Sequence, residues 1–439
     1  MSNNTLGLVF FPAFDWMISP SHPERQERLL YTRDQIVEEG LLDLPAIKEY
    51  KPYLASLQDL ARVHIGVPDL KSLITDAHLV SAGGAMKAAD AVVQKEVKKA
   101  FALVRPPGHH AMRVVHGTRG FCTVNIEAIM VEYLRQRYGL KKIAIVDTDV
   151  HHGDGTQDIF YHDPDTLFIS FHQDGRTLYP GTGAVEEMGS ARAFLSTVNI
   201  PLPPGTGDNG LHQVLDELVL PILQDFAPDL VINSAGQDNH YSDPLASMAV
   251  TAQGYAKLAE KLNADIAVLE GGYSIEGALP YVNTGIILAM AGLDYSKVIE
   301  PDLERCPKES KETTAYVKAL VKRWQKLWTE RDALRRDAIK KAEGIFSRRR
   351  HIYYDDSGIS EEQGETLKLC PKCHGYLTIA SVARGRGFGE KSAFAAIIPR
   401  ECCPECAGKA KDAVLKAKRQ NSYDHYFLQD KKQDVFEKL

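Results

Sequence analysis

Residues 142–156 have the sequence KIAIVDTDVHHGDGT, in which a short apolar run is followed at once by a dense alternation of aspartate and histidine. The apolar run predicts a buried β-strand. Asp149 and His151 stand two residues apart just beyond it, so their side chains can point the same way and bind one metal ion. Asp147 and Asp154 are further carboxylates that can orient neighbouring imidazoles. A plain polar loop is the alternative, but such loops seldom alternate aspartate and histidine so densely.

The same pattern of an apolar strand and a polar or glycine-rich loop recurs through the first 295 residues. Together with amphipathic helices between the strands, it predicts an α/β fold with a mainly parallel sheet and helices on both faces. In such sheets the ligand crevice lies at the carboxyl ends of the strands, where these loops converge. The predicted strands are 6–11, 100–105, 142–147, 166–171, 230–234 and 266–269, and the predicted helices are 126–138, 211–225 and 251–262.

The composition is that of a globular chain. With 439 residues, 44% hydrophobic content and a formal net charge of -6, it gives no whole-chain argument for binding nucleic acid or a membrane. Residues 1–4 lack the basic start of a secretory signal, and no apolar stretch reaches the roughly 20 residues that span a bilayer. Five of the seven cysteines fall between positions 370 and 406 in paired spacing. These features predict a cytoplasmic protein whose cysteines bind metal.

A metal held by Asp149 and His151 needs a third ligand from another loop, and Asp238 is the best candidate. It follows a predicted strand and the small-residue turn Ser-Ala-Gly. Two carboxylates and one imidazole leave a fourth position open for water, which is the arrangement of a catalytic zinc site. The pair His109-His110, which follows a Pro-Pro-Gly turn, can supply a base and an acid near that water.

Six short motifs, in this order, resemble the histone deacetylase and acetylpolyamine amidohydrolase family, which has the arginase-like α/β fold. The resemblance covers about residues 5–295 and implies zinc-dependent removal of acyl groups from lysine or polyamine nitrogen. The motifs are Arg105–His110, Gly120–Cys122, Asp147–Gly155, Tyr179–Gly183, Ser234–Gly236 with Asp238 and Asp243–Leu245, and Gly271–Tyr273.

The resemblance implies a role for each matching residue. It gives two aspartates and a histidine as zinc ligands, two histidines each oriented by an aspartate, and a tyrosine that polarises the scissile carbonyl. These are Asp149, Asp238 and His151; His109 with Asp147 and His110 with Asp154; and Tyr273. It also implies an acyl-lysine channel with aromatic walls, a backbone carbonyl at its floor and a basic residue near its far end. These are Phe121 and Tyr179, Gly120, and Arg25. A monovalent cation such as K+, with Ser170 as a ligand, is implied beside the zinc.

The spacing favours one zinc over the two manganese ions of the related arginases. Their pattern has a carboxylate two residues after the ligand histidine and a second Asp-x-Asp pair, whereas this chain has Gly153 and His240 at those positions. Departures from the family's pattern at Gln237, Asn239 and residues 124–127 flank the site. They affect the shape of the pocket without removing a catalytic group.

Two Cys-Pro-x-Cys turns about thirty residues apart predict a second, structural zinc in a zinc-ribbon-like module. Thiolates fill every position, so this zinc should hold together a domain too small for its own core. The ligands are Cys370, Cys373, Cys403 and Cys406, with Cys402 and His374 as alternatives. Packing on the catalytic domain, homo-oligomer formation and docking of a partner all stay open for this module, and nucleic acid is less favoured.

The predicted organisation has four parts: a catalytic domain, a charged helical segment with a linker, the zinc-ribbon-like module, and a charged tail. Their bounds are 1–297, 298–365, 366–410 and 411–439. Within the second part, residues 355–365 resemble a linker and the basic cluster 348–351 an exposed helix end. Because the two metal sites are predicted in separate domains, we expect the catalytic domain to act on small substrates without the module.

The predicted function is that of a zinc-dependent amidohydrolase that removes acetyl or other acyl groups from N-acyl-lysine of proteins. Deacetylation of acetylated polyamines, or of another small amide, is the alternative. A third interpretation is an adaptor that only binds acyl groups. It is weakened because every catalytic position of the family is present, Tyr273 included.

Overall fold

The computed structural model describes residues 5–439, so the prediction about residues 1–4 lies outside the described residues. The strands of the larger sheet are β1 Leu6–Phe11, β2 Ile47–Tyr50, β4 Lys99–Val104, β6 Ile143–Asp147, β7 Thr166–Gln173, β8 Thr197–Leu202, β9 Leu230–Ala235 and β10 Ile266–Leu269; β3 Ile65–Gly66 pairs with β5 Val114–Val115. The larger sheet has the order β2-β1-β4-β10-β9-β6-β7-β8, and all its pairs are parallel.

Twelve α-helices lie within residues 5–439. They are α1 Leu30–Glu38, α2 Leu57–Ala61, α3 Asp76–Val93, α4 Ile126–Tyr138, α5 Asp154–Phe160, α6 Asp208–Val214, α7 Leu220–Phe226, α8 Ala252–Leu262, α9 Leu279–Ala291, α10 Lys311–Thr329, α11 Arg331–Lys341 and α12 Pro404–Arg419. A π-helical turn, Leu215–Val219, joins α6 to α7, so the predicted helix 211–225 is one continuous helix. In residues 5–439 no helix is both long enough and apolar enough to cross a membrane.

Each face of the larger sheet has its own hydrophobic core. Along β6, Ile143 and Ile145 face the core under α3 and α4, whereas Ala144 and Val146 face the core under α8 and α9. Alternate residues of a strand point to opposite faces, so a continuous apolar run is what a doubly covered strand requires. The predicted α/β architecture, a mainly parallel sheet with helices on both faces, is confirmed.

All six predicted strands are present in the larger sheet, and two further strands of that sheet were not predicted. These are β2 and β8, the two edge strands of the larger sheet. In β2 only the terminal residues are buried, and β8 contains Asn199 and Pro201, which depress β-propensity. Edge strands therefore lack the continuous apolar run that identifies the central ones.

A second sheet, here called the C-terminal sheet, is formed by residues 345–438. Its strands are β11 Ile345–Tyr354, β12 Ile359–Lys368, β13 Tyr376–Gly385, β14 Gly389–Ile398, β15 His425–Asp430 and β16 Val435–Lys438, in sequential order. One face packs under α12, through Ala410 and Val414. The other packs against Ile65 and Val114 of the catalytic part. The sheet therefore extends on both sides of the predicted module 366–410.

The linker predicted at 355–365 is wrong. Residues Asp355–Ser357 form a 3-10 turn, and β12 is hydrogen-bonded on both sides, to β11 and β13. Its buried face carries Glu361, Gln363 and Glu365. A strand whose buried face is polar lacks the hydrophobic alternation that predicts a strand.

The basic cluster 348–351 is not an exposed helix end, because it lies in β11. Arg348 and Arg350 both pair with Asp158 of α5, a buried carboxylate of the catalytic part. The charged helix before it is also less solvated than predicted. In α10 Trp324 is fully buried, and its indole nitrogen donates to the carbonyl of Asn199 (2.7 Å).

Candidate active site and metal centres

Asp149, His151 and Asp238 converge at the carboxyl edge of the larger sheet. Because β6 and β9 are neighbours, the loops that follow them meet there. One ligand atom from each residue lies within 4.8 Å of the others, and all three side chains are buried. His151 Nδ1 is 3.2 Å from Asp149 Oδ1 and 3.1 Å from Asp238 Oδ2. Two carboxylates and one imidazole around one point fit a single metal ion with a position left for water.

Two glycines make room for these carboxylates. A Cβ on Gly236 would lie 2.0 Å from Asp149 Oδ2, and one on Gly271 would lie 2.2 Å from Asp238 Oδ2. The Gly271 N–H also donates to Asp149 Oδ2 (2.7 Å). Asp149, His151 and Asp238 are here called the metal group. The small-residue turn after β9 and the glycine pair after β10 are therefore required for this group to assemble.

His109 and His110 lie beside the metal group, each with its predicted aspartate. His109 Nδ1 is 3.1 Å from Asp147 Oδ2, and His110 Nδ1 is 2.8 Å from Asp154 Oδ1. The His110 ring is centred 6.0 Å from that of His151. In both histidines the Nδ1 atom is occupied, so Nε2 is the nitrogen that can exchange a proton with a substrate.

The neighbouring charges and burial shift the pKa values of the two histidines in opposite directions. Burial opposes the charged form of His109, but the carboxylates of Asp149 and Asp147 outweigh it and raise its pKa to about 10. Burial and the neighbouring charge of His109 lower the pKa of His110 to about 3. The two pKa values move apart because a charge on one imidazole opposes a charge on its neighbour.

Tyr273, Phe121 and Tyr179 are the aromatic residues predicted at this site. The Tyr273 ring lies 5.5 Å from that of Phe121, and the Tyr179 ring lies 5.1 Å from that of His110. Burial raises the pKa of Tyr273 well above its ordinary value, so its hydroxyl keeps its proton and can donate. Gly120 has φ +50, and a Cβ there would lie 2.5 Å from the His110 ring.

The buried arginine beside Tyr273 is Arg28 and not Arg25. The Arg25 side chain is 41% exposed and pairs with Glu27 at 3.5 Å. The Arg28 guanidinium lies 4.8 Å from the Tyr273 ring centre and is fully buried. In the turn before α1 both positions are basic, and only the three-dimensional arrangement shows which of them faces inward.

Arg28 belongs to a buried ion triad that sequence reasoning missed. Glu24 accepts from Arg28 and, at 2.7 Å, from the Nε of Arg105, and none of the three side chains is exposed. Arg28 also donates to the carbonyls of Glu270 (2.7 Å) and Gly272 (2.9 Å). The triad therefore holds the loop that carries Tyr273. Its sequence signals were the glutamate in the stretch His-Pro-Glu-Arg at 22–25 and Arg105 at the start of the first motif.

Two other charged residues support the site. Arg119 donates to Asp154 Oδ2 at 2.5 Å, opposite the oxygen that bonds His110. The Glu270 carboxylate accepts from the backbone N–H groups of Gly108 (2.7 Å) and His109 (3.1 Å). Each directly precedes a family motif, Gly120–Cys122 or Gly271–Tyr273, which is the signal that could have identified it.

Ser170, the predicted side-chain ligand of a monovalent cation, lies beside the metal group. It is the register partner of Asp147 in the β6–β7 pair and is fully buried. Its Oγ lies 2.8 Å from His172 Nδ1. Its role at a cation stays a prediction.

The four predicted thiols also form one group, at the start of α12. The ligand atoms of Cys370, Cys373, Cys403 and Cys406 lie within 4.8 Å of one another. The N–H of Lys372 bonds the Cys370 sulfur at 3.4 Å and lowers the pKa of that thiol to about 7. The Cys402 thiol points to the Gly375 carbonyl instead (3.4 Å). Among residues 5–439 this group contains neither Cys402 nor His374.

The C-terminal sheet is fixed to the catalytic part by buried or half-buried ion pairs. Arg62 pairs with Asp434 (2.7 Å), and Glu132 of α4 pairs with Arg400 (3.0 Å) and Lys431 (3.1 Å). The charges come from both sides of the interface. These contacts describe packing on the catalytic part, which is one of the three roles that the sequence left open for the zinc-ribbon-like module.

The comparisons with known proteins identify a family. A sequence profile described as "Histone deacetylase domain" matches residues 69–288. A probable deacetylase of Archaeoglobus fulgidus is 49% identical over 311 residues, which are 65% of this chain and 85% of that protein. Histone deacetylase 14, chloroplastic, of Arabidopsis thaliana is 41% identical over 212 residues, which are 45% of this chain and 49% of that protein.

A solved structure shows the same fold. The crystal structure of the HDA15 HD domain superposes with a TM-score of 0.63 at 29% identity and covers 76% of this chain and 98% of that chain. The family match and the fold therefore identify a hydrolytic deacetylase with an arginase-like α/β fold. The chain belongs to the histone deacetylase family.

Proposed function

We propose that this deacetylase removes acetyl or other acyl groups from the N-acyl-lysine side chains of proteins. The observation that carries the proposal is the position of His110. Its Nδ1 bonds Asp154 while its ring stands 6.0 Å from His151 of the metal group and 5.1 Å from Tyr179. This position supports a role for His110 as a base between the proposed metal site and an aromatic wall that would suit an aliphatic acyl-lysine chain.

Asp149, His151 and Asp238 would hold a catalytic zinc, because their donor atoms converge and include two carboxylates and one imidazole. When bound there, zinc would polarise the amide oxygen and make the attacking water more acidic. The remaining steps belong to side chains of this protein.

His110 would accept a proton from the attacking water at Nε2 and return it to the departing amine. Its Nδ1–H bond to Asp154 fixes the ring for both transfers. His109, bonded to Asp147, would stabilise negative charge beside it. The Tyr273 hydroxyl would donate to the oxyanion that forms from the scissile carbonyl. Phe121 and Tyr179 would enclose the acyl-lysine chain, with the Gly120 carbonyl at its floor.

A substrate panel tests the proposal. We expect kcat/KM for acetyl-lysine peptides to exceed that for mono-acetylated polyamines at least tenfold. Activity should disappear in Asp238→Ala and persist in the matched control Asp337→Ala, which changes an exposed acid of α11. A preference for polyamines would favour the alternative substrate. Activity on neither class, in a protein that holds zinc, would contradict deacylation itself.

Further proposals concern the other ligands and the cellular setting. The four grouped thiols support a second, structural zinc, and buried Ser170 beside Asp147 supports a monovalent cation such as K+. The seven free cysteines support a reducing compartment such as the cytoplasm. Helix α12 covers one face of the C-terminal sheet and keeps an exposed side of its own on which a second copy or a partner protein can dock.

A further inference from the structure

One turn of the C-terminal sheet reaches the active site. It joins β11 to β12 and is here called the acidic turn, residues 354–358. It lies against the rim loop, residues 117–122, and accepts three backbone hydrogen bonds from it. The bonds run from Thr118 to Ser357 Oγ (2.9 Å), from Gly120 to Asp355 Oδ1 (3.0 Å) and from Phe121 to Asp356 Oδ2 (2.8 Å). The contact is close, since a Cβ on Gly117 would lie 2.5 Å from Ser357 Oγ.

The backbone of the rim loop is unusual at the two residues that meet the carboxylates. Gly120 has φ +50 and Phe121 has φ +70. A side chain as large as phenylalanine rarely adopts this left-handed region, and such conformations persist only when their surroundings impose them. The N–H groups of these two residues donate to separate carboxylates, those of Asp355 and Asp356.

The acidic turn also bonds Tyr179, the other aromatic residue proposed to enclose the substrate chain. The Tyr179 hydroxyl donates to Asp355 Oδ1 at 3.1 Å, so one carboxylate oxygen bonds both the rim loop and this ring. The Tyr179 and Phe121 rings lie against His110 and Tyr273, respectively. Asp356 therefore bonds Phe121, whose ring contacts Tyr273. Asp355 bonds Tyr179, whose ring contacts His110. Tyr273 and His110 are the groups with proposed catalytic roles.

We propose that Asp355 and Asp356 are positioning residues of the active site, which hold Phe121 and Tyr179 in the conformation that binds the acyl-amine chain. The inference rests on the proposed function, because it takes these two rings as the walls of the substrate channel. It makes the C-terminal sheet part of the catalytic unit. The catalytic part alone would then lack an element of its own channel, contrary to the expectation that it acts without the module.

Two double variants of the full chain distinguish loss of the hydrogen-bond acceptors from loss of the negative charge. Asp355→Ala with Asp356→Ala removes the hydrogen-bond acceptors, whereas Asp355→Asn with Asp356→Asn keeps a carbonyl oxygen in each and removes only the charge. We expect the alanine pair to raise KM for an acetyl-lysine peptide at least tenfold and to change kcat less than threefold. The asparagine pair should restore KM to within threefold of the wild type.

The matched control is Asp434→Ala, an acid of the same sheet that pairs with Arg62 away from the site. It should leave KM unchanged. An unchanged KM in the alanine pair, whatever happens to kcat, would overturn the inference. If the alanine pair does not fold, the single variant Asp356→Ala, which loses the Phe121 bond, decides by the same criterion.

Amide hydrogen exchange tests the positioning role of Asp355 and Asp356 without any substrate. The amides of Gly120 and Phe121 should exchange at least tenfold faster in the alanine pair than in the wild type, and at the wild-type rate in the Asp434→Ala control. Unchanged exchange would contradict the positioning role. A wild type that hydrolyses neither peptide nor polyamine would refute the proposed function, and the exchange result would still decide the role of the acidic turn.

Discussion

Replacing Glu24 by alanine should be the most destabilising single change near the active site. Glu24 is the common acceptor of Arg28 and Arg105, and all three side chains are fully buried. Breaking a buried ion pair by removing one partner costs about 3 to 5 kcal/mol, because an uncompensated charge stays behind. Here two guanidinium groups lose their counterion, although both keep backbone carbonyl acceptors. We therefore expect the free energy of unfolding to fall by about 3 to 5 kcal/mol.

Urea unfolding followed by tryptophan fluorescence measures this effect. With a slope of about 3 kcal/mol per molar urea, the midpoint should fall by about 1 to 1.7 M. Glu24→Gln should recover at most half of the loss, since its amide –NH2 would face one guanidinium. The control is Glu27→Ala, whose side chain is 43% exposed and pairs with Arg25, and whose effect should stay below about 1 kcal/mol. Equal midpoints for Glu24→Ala and the control would refute the argument.

Three further predictions follow from the two metal groups and the tyrosine. Tyr273→Phe should lower kcat on acetyl substrates by about a hundredfold or more while zinc content and folding stay unchanged, and an unchanged kcat would rule out the proposed donor role. Chelators should abolish activity and hydroxamates should inhibit it, whereas metal analysis that finds two manganese ions per chain would contradict the zinc assignment. Cys373→Ser should release a second zinc that Asp238→Ala retains, and retention in both variants would exclude the thiol site.

The fold and the metal group were predictable because their signals are local in the sequence. Strand β6 has a continuous apolar run since both of its faces are covered, and Asp149 and His151 follow it within four residues. Asp238 required only the rule that loops after neighbouring parallel strands meet at one edge. The edge strands β2 and β8 carry weaker patterns and were missed.

The remaining parts depend on contacts between distant residues. Arg25 and Arg28 are chemically alike in the sequence, and burial against the loop of Tyr273 distinguishes them. Strand β12 was taken for a linker because its buried face is polar, and Glu365 on that face is satisfied by Arg348 and Arg350. No local pattern marks Asp355 as a neighbour of Gly120. These contacts belong to the assembled fold and have no short-range signature.

The contact between the acidic turn and the rim loop can form only late in the synthesis of the chain, because its two sides are far apart in the sequence. Gly120 and its acceptor Asp355 are 235 residues apart. At about 5 to 20 residues per second, a ribosome needs on the order of 10 to 50 s to make the intervening chain. Throughout that interval the rim loop has left the peptidyl-transferase centre but its carboxylate partners do not yet exist. The nascent chain therefore acquires the carboxylates that hold Phe121 and Tyr179 only after its proposed metal ligands Asp149, His151 and Asp238 have been made.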